Sequence, residues 1–203
     1  MKAQRNCLLL CFLSGFLFAN QEPRLFVKFP TRSRPQRFFA MLDLYYQKLS
    51  KKIPYQFLVS IDEDDKSMNN NQVLERLKKY PHLDVLCCNH LSKIDACNRG
   101  IENYDFDILL LASDDMEPIL DGYDLIIADV MRTYFPDYDG VTRFHDGFVD
   151  NRCNTLPIMG KKFYDRFKYV YHPAYLSLVC DLELAIVAKA LKKEVYINKV
   201  IIR

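Results

Sequence analysis

Hydrophobic residues occur along this chain either in short runs or at helical spacing, and these two patterns alternate. This alternation predicts strands followed by helices. Short apolar runs bounded by polar residues are typical of strands, and the longer stretches between them repeat apolar residues at helical spacing. One such repeat is Phe38, Leu42, Tyr45 and Leu49. The runs that predict strands are residues 24–29, 55–61, 82–88, 108–111, 139–144, 154–160 and 194–202. The helices are predicted after Ser33, which is expected to be the N-cap of the first one, and over 72–80, 91–101, 123–134, 161–167 and 181–191.

The order of these elements predicts one α/β domain. Strand and helix patterns alternate three times before residue 112, which favours right-handed crossovers and parallel strands. The run at 108–111 is apolar at every position, as expected of a strand covered by helices on both faces. We therefore expect a Rossmann-like domain with a mostly parallel central sheet flanked by helices. Since no repeat or linker interrupts it, this single domain is expected to span 24–203.

Two predicted strands end abruptly on acidic residues. The run at 108–111 leads to Asp114 and Asp115, and the run at 55–61 leads to Asp62. Open α/β sheets bind ligands at the carboxyl ends of their strands, so these carboxylates are expected at one rim. Adjacent carboxylates repel one another unless they are solvated or share a cation. The sequence leaves open whether they form a cation site or an acidic turn.

Polar residues of other predicted loops belong to the same rim. Thr31, Arg32, Lys93 and Asn98 follow or precede strands in a way that would bring donors to it. Carboxylates combined with basic and amide donors suit a phosphorylated ligand bridged by Mg²⁺ or Mn²⁺. Asp181, at the predicted start of the last helix, is either a general base brought to this crevice or a helix N-cap.

Composition narrows the function classes only slightly. The net charge is +2, and 28 basic residues are scattered among 26 acidic ones, so we expect no nucleic-acid partner. Apart from Cys7 and Cys11, the cysteines have no spacing typical of a zinc site, and their odd number argues against a fully paired disulfide framework. They are Cys87, Cys88, Cys97, Cys153 and Cys180.

The first twenty residues differ in character from the rest. Lys2 and Arg5 precede an apolar stretch at 7–18, followed by polar residues after Ala19. This pattern resembles a secretory signal peptide, and the stretch is shorter than the ~20 apolar residues of a membrane span. Residues 1–20 are thus expected to be a signal-like or membrane-anchor segment, with a buried helix as the alternative. A signal would place the protein in the secretory pathway or cell envelope, and an uncleaved anchor would associate it with the membrane; otherwise it would be cytoplasmic.

Several motifs together resemble the nucleotide-diphospho-sugar transferases of the GT-A fold, and within them the family 2-like glycosyltransferases. The resemblance covers roughly residues 25–203. Each motif is weak alone, and their order and spacing carry the likeness. The matching segments are Phe26-Val-Lys-Phe-Pro-Thr-Arg-Ser-Arg-Pro35, Ser60-Ile-Asp-Glu-Asp-Asp65, Lys93 with Ala96, Asn98 and Gly100, Ser113-Asp114-Asp115 at the family's Asp-x-Asp position, and Cys180-Asp181-Leu182-Glu183 at its catalytic acid.

This resemblance implies a metal-assisted, inverting transfer of a sugar from a nucleotide-sugar donor to a hydroxyl of a glycan, lipid or protein acceptor. The implied cofactor is Mn²⁺ or Mg²⁺, held by Asp115 with help from Asp114, and the implied base is Asp181. The implied nucleotide-binding residues are Thr31, Arg32, Asp62, Lys93, Asn98 and Asp114. The implied sugar or acceptor residues are Asp146, Gly147, Thr155, Gly160 and Glu183.

Two departures from the family keep other functions open. Ser113 replaces the first acid of the usual Asp-x-Asp, and the chain ends at Arg203, where many family members continue into a further metal ligand and an acceptor-binding segment. A domain that binds a nucleotide sugar without transferring it is therefore the first alternative. The second is a haloacid-dehalogenase-type phosphatase with Asp62 as nucleophile, although Lys66 and Ser67 do not match the Thr or Val expected there.

Overall fold

The computed structural model of the chain describes residues 21–148 and 153–203. The signal-like or anchor segment predicted over 1–20 lies outside the described residues, so it stays a prediction. Within the two described ranges, no helix combines the length and the apolar character needed to cross a bilayer.

The described residues form alternating strands and helices in the predicted order. The strands are β1 (Leu25–Thr31), β2 (Tyr55–Asp62), β3 (Leu83–Cys88), β4 (Ile108–Leu111), β5 (Val141–Phe144), β6 (Ile158–Gly160) and β7 (Glu194–Ile197). The helices are α1 (Pro35–Lys48), α2 (Asn71–Leu77), α3 (Lys93–Asn98), α4 (Tyr123–Tyr134), α5 (Lys161–Phe167) and α6 (Cys180–Ala190), with a short 3₁₀ turn at Ile101–Asn103.

All seven strands join one sheet in the order β3-β2-β1-β4-β6-β5-β7. The first four are mutually parallel, and β5 is parallel to β7. Only β6 runs against its neighbours β4 and β5. The predicted fold class, a mixed α/β domain with a mostly parallel sheet flanked by helices, is therefore confirmed.

Two hydrophobic cores cover the sheet, one on each face. Alternate residues of β1 point to opposite faces, so Val27 packs with α1 and α4 whereas Phe26 packs with α3, α5 and α6. The strand β4 contributes to both cores, with Leu110 on one face and Leu109 on the other. This double coverage accounts for the uninterrupted apolar run at 108–111.

A buried lysine interrupts the second core. The Lys28 side chain lies on the α3 face of β1, is fully buried, and donates to the backbone carbonyl of Arg99 at 2.6 Å and to the Ser60 hydroxyl. Burial lowers the pKa of Lys28 to about 8. Because Arg99 follows the last residue of α3, this lysine joins the end of α3 to β1 and β2.

The helix caps differ from those predicted. Ser33 was expected to cap α1, but it adopts a φ of +61° and the N-cap position belongs to Arg34, which makes no side-chain cap. Asp181, for which an N-cap role was the alternative to that of a base, is not the N-cap of the last helix, because α6 begins at Cys180 and Val179 occupies the N-cap position. Asn70 and Ser92 supply genuine side-chain caps, to α2 and α3. The last strand ends at Ile197 rather than near 202.

Gly160 was expected on the sugar or acceptor side, and the antiparallel direction of β6 places it elsewhere. Gly160 pairs with Ile108, the first residue of β4, so it lies at the sheet edge opposite to the ends of the parallel strands. A Cβ at Gly160 would approach the carbonyl oxygen of Tyr138 to 2.2 Å. The absence of a side chain at this position therefore allows β6 to pass close to the backbone before β5.

We predict that Gly160→Ala lowers the free energy of unfolding by about 3 kcal/mol, because backbone must move to admit the methyl group. Chemical denaturation would measure this, with Gly122→Asn as the control. Gly122 has a positive φ, whereas Gly160 does not, but the nearest atom to a Cβ at Gly122 would be Ser50 Cβ at 3.9 Å, and Asn tolerates that backbone conformation. If Gly160→Ala kept the stability of the wild type and lost ligand binding, Gly160 would instead belong to the ligand site.

Candidate functional site

A cleft of about 740 Å³ opens at the edge where the parallel strands end. Its walls come from the ends of β1, β2 and β4, from the start of α3 and from the loop that leads into α6. The predicted site residues that line it are Thr31, Arg32, Asp62, Lys93, Asp114, Asp115, Thr155 and Asp181. The topology thus brings together most of the side chains proposed from scattered positions in the sequence.

Asp62, at the end of β2, is held by two partners. One carboxylate oxygen pairs with Arg32, and the other lies 2.5 Å from Nδ1 of His90. Arg32 also binds both carboxylate oxygens of Asp64, at 2.8 and 2.9 Å. His90 was missed in the sequence, although its position two residues after β3, the parallel neighbour of β2, was a signal that it would reach this rim.

Asp114 is the buried carboxylate of the cleft, with 1% of its side chain exposed. Arg34 Nη2 lies 2.7 Å from its Oδ1, yet among the described residues no well-directed hydrogen bond reaches either oxygen. Burial raises the pKa of Asp114, and the positive charges of Arg34 and Arg37 offset only part of this effect. Arg37 also donates to the Asp114 carbonyl at 2.8 Å, which fixes the backbone after β4.

Asp115 has the opposite environment. Its side chain is exposed to the cleft and accepts a hydrogen bond from the Ser113 hydroxyl. Partial desolvation acts to raise its pKa, but the Ser113 hydrogen bond and the charges of Lys93 and Arg34 together hold the pKa below its usual value. Ser113, which stands where the resembled motif has an acid, therefore serves to orient Asp115 and favour its ionised form.

The two adjacent acids have the chemistry of a magnesium or manganese site that a ligand completes. Mg²⁺ is commonly held by one or two carboxylates together with substrate phosphates. The unsatisfied oxygens of Asp114 and the unpaired hydroxyl of Thr31, buried at the cleft wall, are polar atoms that a bound ligand or ion would satisfy. No group of three acidic, histidine or cysteine side chains is arranged to hold a metal by itself within the described ranges.

Asp181 lies in the first turn of α6 and faces the same cleft. The turn before it is strained, since Val179 adopts a φ of +71° that β-branched residues rarely occupy. Val179 also lines the cleft, and 54% of its surface is exposed. Strain of this kind persists where the surroundings impose it, and it is frequent at ligand sites.

A second cavity of about 210 Å³ adjoins the first and shares Asp115, Met116 and Thr155 with it. Two of the predicted sugar or acceptor residues meet here, because the Thr155 hydroxyl donates to Asp146 Oδ2 at 2.6 Å. The neighbouring Gly147 has a φ of +88°, and its backbone N–H donates to Nδ1 of His145 at 2.7 Å. Gly147 therefore shapes the turn that presents Asp146.

Asn98 and Glu183 do not line either cavity. The Asn98 amide donates to the carbonyl of Tyr171 at 2.7 Å and accepts from the backbone N–H groups of Val170 and Tyr171, at 2.9 and 3.1 Å. Its side chain thus ties α3 to the loop after α5, and Tyr171 of that loop lines the cleft. The structure gives Asn98 a supporting position behind the site.

We predict that Asn98→Ala lowers the free energy of unfolding by about 2–3 kcal/mol, since it leaves buried backbone groups without partners. Asn98→Asp is the matched variant, because it keeps the acceptor and loses only the donor to Tyr171. In thermal denaturation, we expect the lowest melting temperature for Asn98→Ala, an intermediate one for Asn98→Asp and the highest for the wild type. If both variants unfolded like wild type and only nucleotide binding fell, Asn98 would contact the ligand directly.

Comparison with known proteins gives structural likeness without sequence likeness. The sequence matches no family model and no curated protein. Among solved structures it resembles residues 1–349 of TarS from S. aureus in complex with UDP, with a TM-score of 0.69 and 12% identity over 88% of this chain and 59% of that one. It also resembles the mannosyltransferase PcManGT from Pyrobaculum calidifontis in complex with GDP-Man and Mn²⁺, with a TM-score of 0.65 and 15% identity over 88% and 55%.

These comparisons establish a glycosyltransferase fold. A third structure is that of residues 1–349 of S. aureus TarS in complex with UDP-GlcNAc. Its TM-score is 0.65 and its identity 12%, and the match spans 88% of this chain and 57% of that one. The chain therefore spans little more than half the length of the proteins it resembles. Identity this low shows the shared architecture and leaves activity to be argued from the site.

Proposed function

We propose that this chain is a glycosyltransferase domain that moves a sugar from a nucleotide-diphosphate donor to an acceptor hydroxyl. The observation that carries the proposal is the convergence of Asp62, Asp114, Asp115 and Asp181 on one cleft at the carboxyl edge of the sheet. Its support is the fold shared with proteins solved in complex with UDP, UDP-GlcNAc and GDP-Man. The phosphatase alternative has no such structural support.

The donor end of the proposed site lies between β1, β2 and α3. Asp62 and His90 form a polar wall suited to a nucleobase, and Thr31 lies at the base of this wall with its hydroxyl unpaired. Lys93 opens α3 after the Ser92 cap, so its charge adds to the positive end of the helix dipole. Lys93 and Arg34 would together attract the diphosphate.

Asp115, with Asp114 behind it, would hold the divalent cation. When bound, Mn²⁺ or Mg²⁺ would neutralise the charge that develops on the departing nucleoside diphosphate. The low pKa of Asp115 keeps this carboxylate ionised for that role, and Ser113 fixes its orientation. The complex of PcManGT with GDP-Man and Mn²⁺ supports the choice of cation class.

Asp181 would act as the base on the acceptor side. From the start of α6 it faces the cleft across from the residues of β1 and β4, so it would remove the proton of an acceptor hydroxyl as that oxygen attacks the anomeric carbon. Attack from the face opposite to the leaving diphosphate inverts the configuration. Asp146 and Thr155, in the adjoining cavity, would contact the sugar or the acceptor.

A second candidate is a domain that binds a nucleotide sugar without transferring it. It is favoured by Ser113, which stands where the resembled motif has its first acid, so that only Asp114 and Asp115 remain at this position to hold a cation. Both candidates predict donor binding, and only the enzyme predicts turnover. Binding and turnover are therefore measured separately.

We expect UDP or GDP to raise the melting temperature of the protein when Mn²⁺ is present, because a ligand that binds only the folded state stabilises it. Asp115→Asn should weaken that binding about tenfold or more, which corresponds to about 1.4 kcal/mol, because a neutral amide replaces the charged oxygen proposed to hold the cation. The control is Asp121→Asn, an exposed acid that pairs with Lys48 away from the cleft. The absence of any shift with either nucleotide would contradict the proposed function.

Asp181→Asn should lower the rate constant of sugar transfer by about 10²–10⁴-fold, the usual contribution of a general base, while donor affinity stays within twofold. Transfer would be followed by mass spectrometry of product formation from a panel of nucleotide sugars. Glu183→Gln is the matched control, two residues along the same helix and outside both cavities. Equal loss of rate and donor affinity in Asp181→Asn would make this residue structural.

A further inference from the structure

A cysteine, a histidine and an aspartate form a continuous chain of hydrogen bonds at the ends of β2 and β3. Cys88 Sγ lies 3.2 Å from Nε2 of His90, and Nδ1 of the same ring lies 2.5 Å from Oδ1 of Asp62. We call these three side chains the Cys88–His90–Asp62 relay. Cys88 is directly paired with Asp62 in the sheet, so the backbone register fixes the distance between the two ends of the relay. The function proposed above makes no use of the thiol.

The hydrogen-bond partners determine which nitrogen of His90 carries the proton. Asp62 accepts from Arg32 through its other oxygen, so the carboxylate acts as an acceptor and His90 Nδ1 must donate to it. Nε2 then holds a lone pair directed at the thiol of Cys88. The His90 side chain is only 2% exposed, so packing holds the ring in this orientation.

An arginine that is paired with Asp95 also contacts the sulfur. Arg99 Nη1 approaches Cys88 Sγ to 3.9 Å and also donates to the carbonyl of Asn89. A guanidinium and an imidazole therefore both contact this sulfur, an arrangement found around nucleophilic cysteines. Cys88 is partly exposed, so small reagents can reach it.

The adjacent cysteine supplies a contrast within the same strand. Cys87 is more exposed than Cys88 and points to the other face of β3. Desolvation and the negative charge of Glu63 raise its pKa, and within the described residues no imidazole or guanidinium donates to it. If exposure alone determined reactivity, Cys87 would react faster than Cys88. If the relay determines reactivity, Cys88 reacts faster than Cys87.

We propose that Cys88 is a nucleophilic thiol, activated by His90 and Asp62, and that it is a site of oxidation by hydroperoxides. His90 Nε2 takes the thiol proton, the thiolate sulfur attacks one oxygen of the peroxide, and the O–O bond breaks. The departing oxygen takes the proton from His90 and leaves as water or an alcohol. Sulfur is oxidised by two electrons to a sulfenic acid, and the peroxide is reduced by the same two electrons.

Oxidation at this position would disturb the cleft. The added oxygen occupies the space between Sγ and Nε2, and the buried His90 ring would have to turn away from Asp62 to admit it. Because Asp62 and His90 both line the cleft, we expect the oxidised protein to bind nucleoside diphosphate more weakly. This consequence rests on the proposed function, whereas the reactivity of the thiol does not.

The test treats the full chain with hydrogen peroxide in the presence of a cyclic 1,3-diketone that traps sulfenic acids, and mass spectrometry measures labelling at each cysteine. We expect Cys88 to be labelled at least about tenfold faster than Cys87, a threshold set below the ~10²–10⁴-fold that a general base usually contributes. Equal labelling, or faster labelling of Cys87, would overturn the proposal. This comparison within one protein needs no variant and no nucleotide.

His90→Gln should bring labelling of Cys88 down to the rate of Cys87 without changing Cys87 itself. The control is His82→Asn, an exposed histidine before β3 whose positive φ asparagine tolerates. Unchanged labelling of Cys88 in His90→Gln would exclude His90 as the activating group. Failure to bind any nucleoside diphosphate would refute the proposed function and leave the labelling ratio as informative as before.

Discussion

Arginines after β1 hold the carboxylates that follow β2 and β4 at one edge of the sheet. Four parallel strands end at this edge, so their acids are brought together whatever their separation in sequence. Arg32 pairs with Asp62, and Arg34 lies beside Asp114. Without these cations the buried carboxylates would carry the full cost of desolvation and mutual repulsion. Asp114 depends on this compensation most, because its side chain is buried.

Arg32 and Arg34 differ in how easily a ligand would displace them from their carboxylate partners. The Arg32 side chain is 53% exposed and pairs with Asp64, itself largely exposed, so its ion pairs contribute little stability and compete with solvent. Arg34 also has an exposed side chain, but its partner Asp114 is buried and has no well-directed hydrogen bond. An incoming phosphate or cation would therefore displace weak surface pairs and supply contacts that a buried carboxylate lacks.

Much of the fold was predictable because hydrophobic period and strand order are local properties of the chain. The alternation along β1 to β4 and the double-sided burial of β4 follow from sequence alone. The direction of β6 was not predictable, since a three-residue strand carries no sign of its orientation, and so Gly160 was assigned to the wrong edge. Ser33 and Asp181 are not the N-caps, because α1 begins with Arg34 at this position and α6 with Val179, and boundaries are the part of a helix that local pattern specifies least.

The sequence by itself determined that acidic residues follow two strands of a parallel sheet, which requires Asp62, Asp114 and Asp115 to share an edge. It also determined the order of strands and helices, because each apolar period specifies its own element. Only the tertiary structure decided which of the adjacent acids is buried, which arginine compensates it, and that Asn98 supports a loop behind the cleft. Only the register of β2 with β3 brought Cys88, His90 and Asp62 into one relay. These relations join residues distant in sequence, and local pattern contains no information about such contacts.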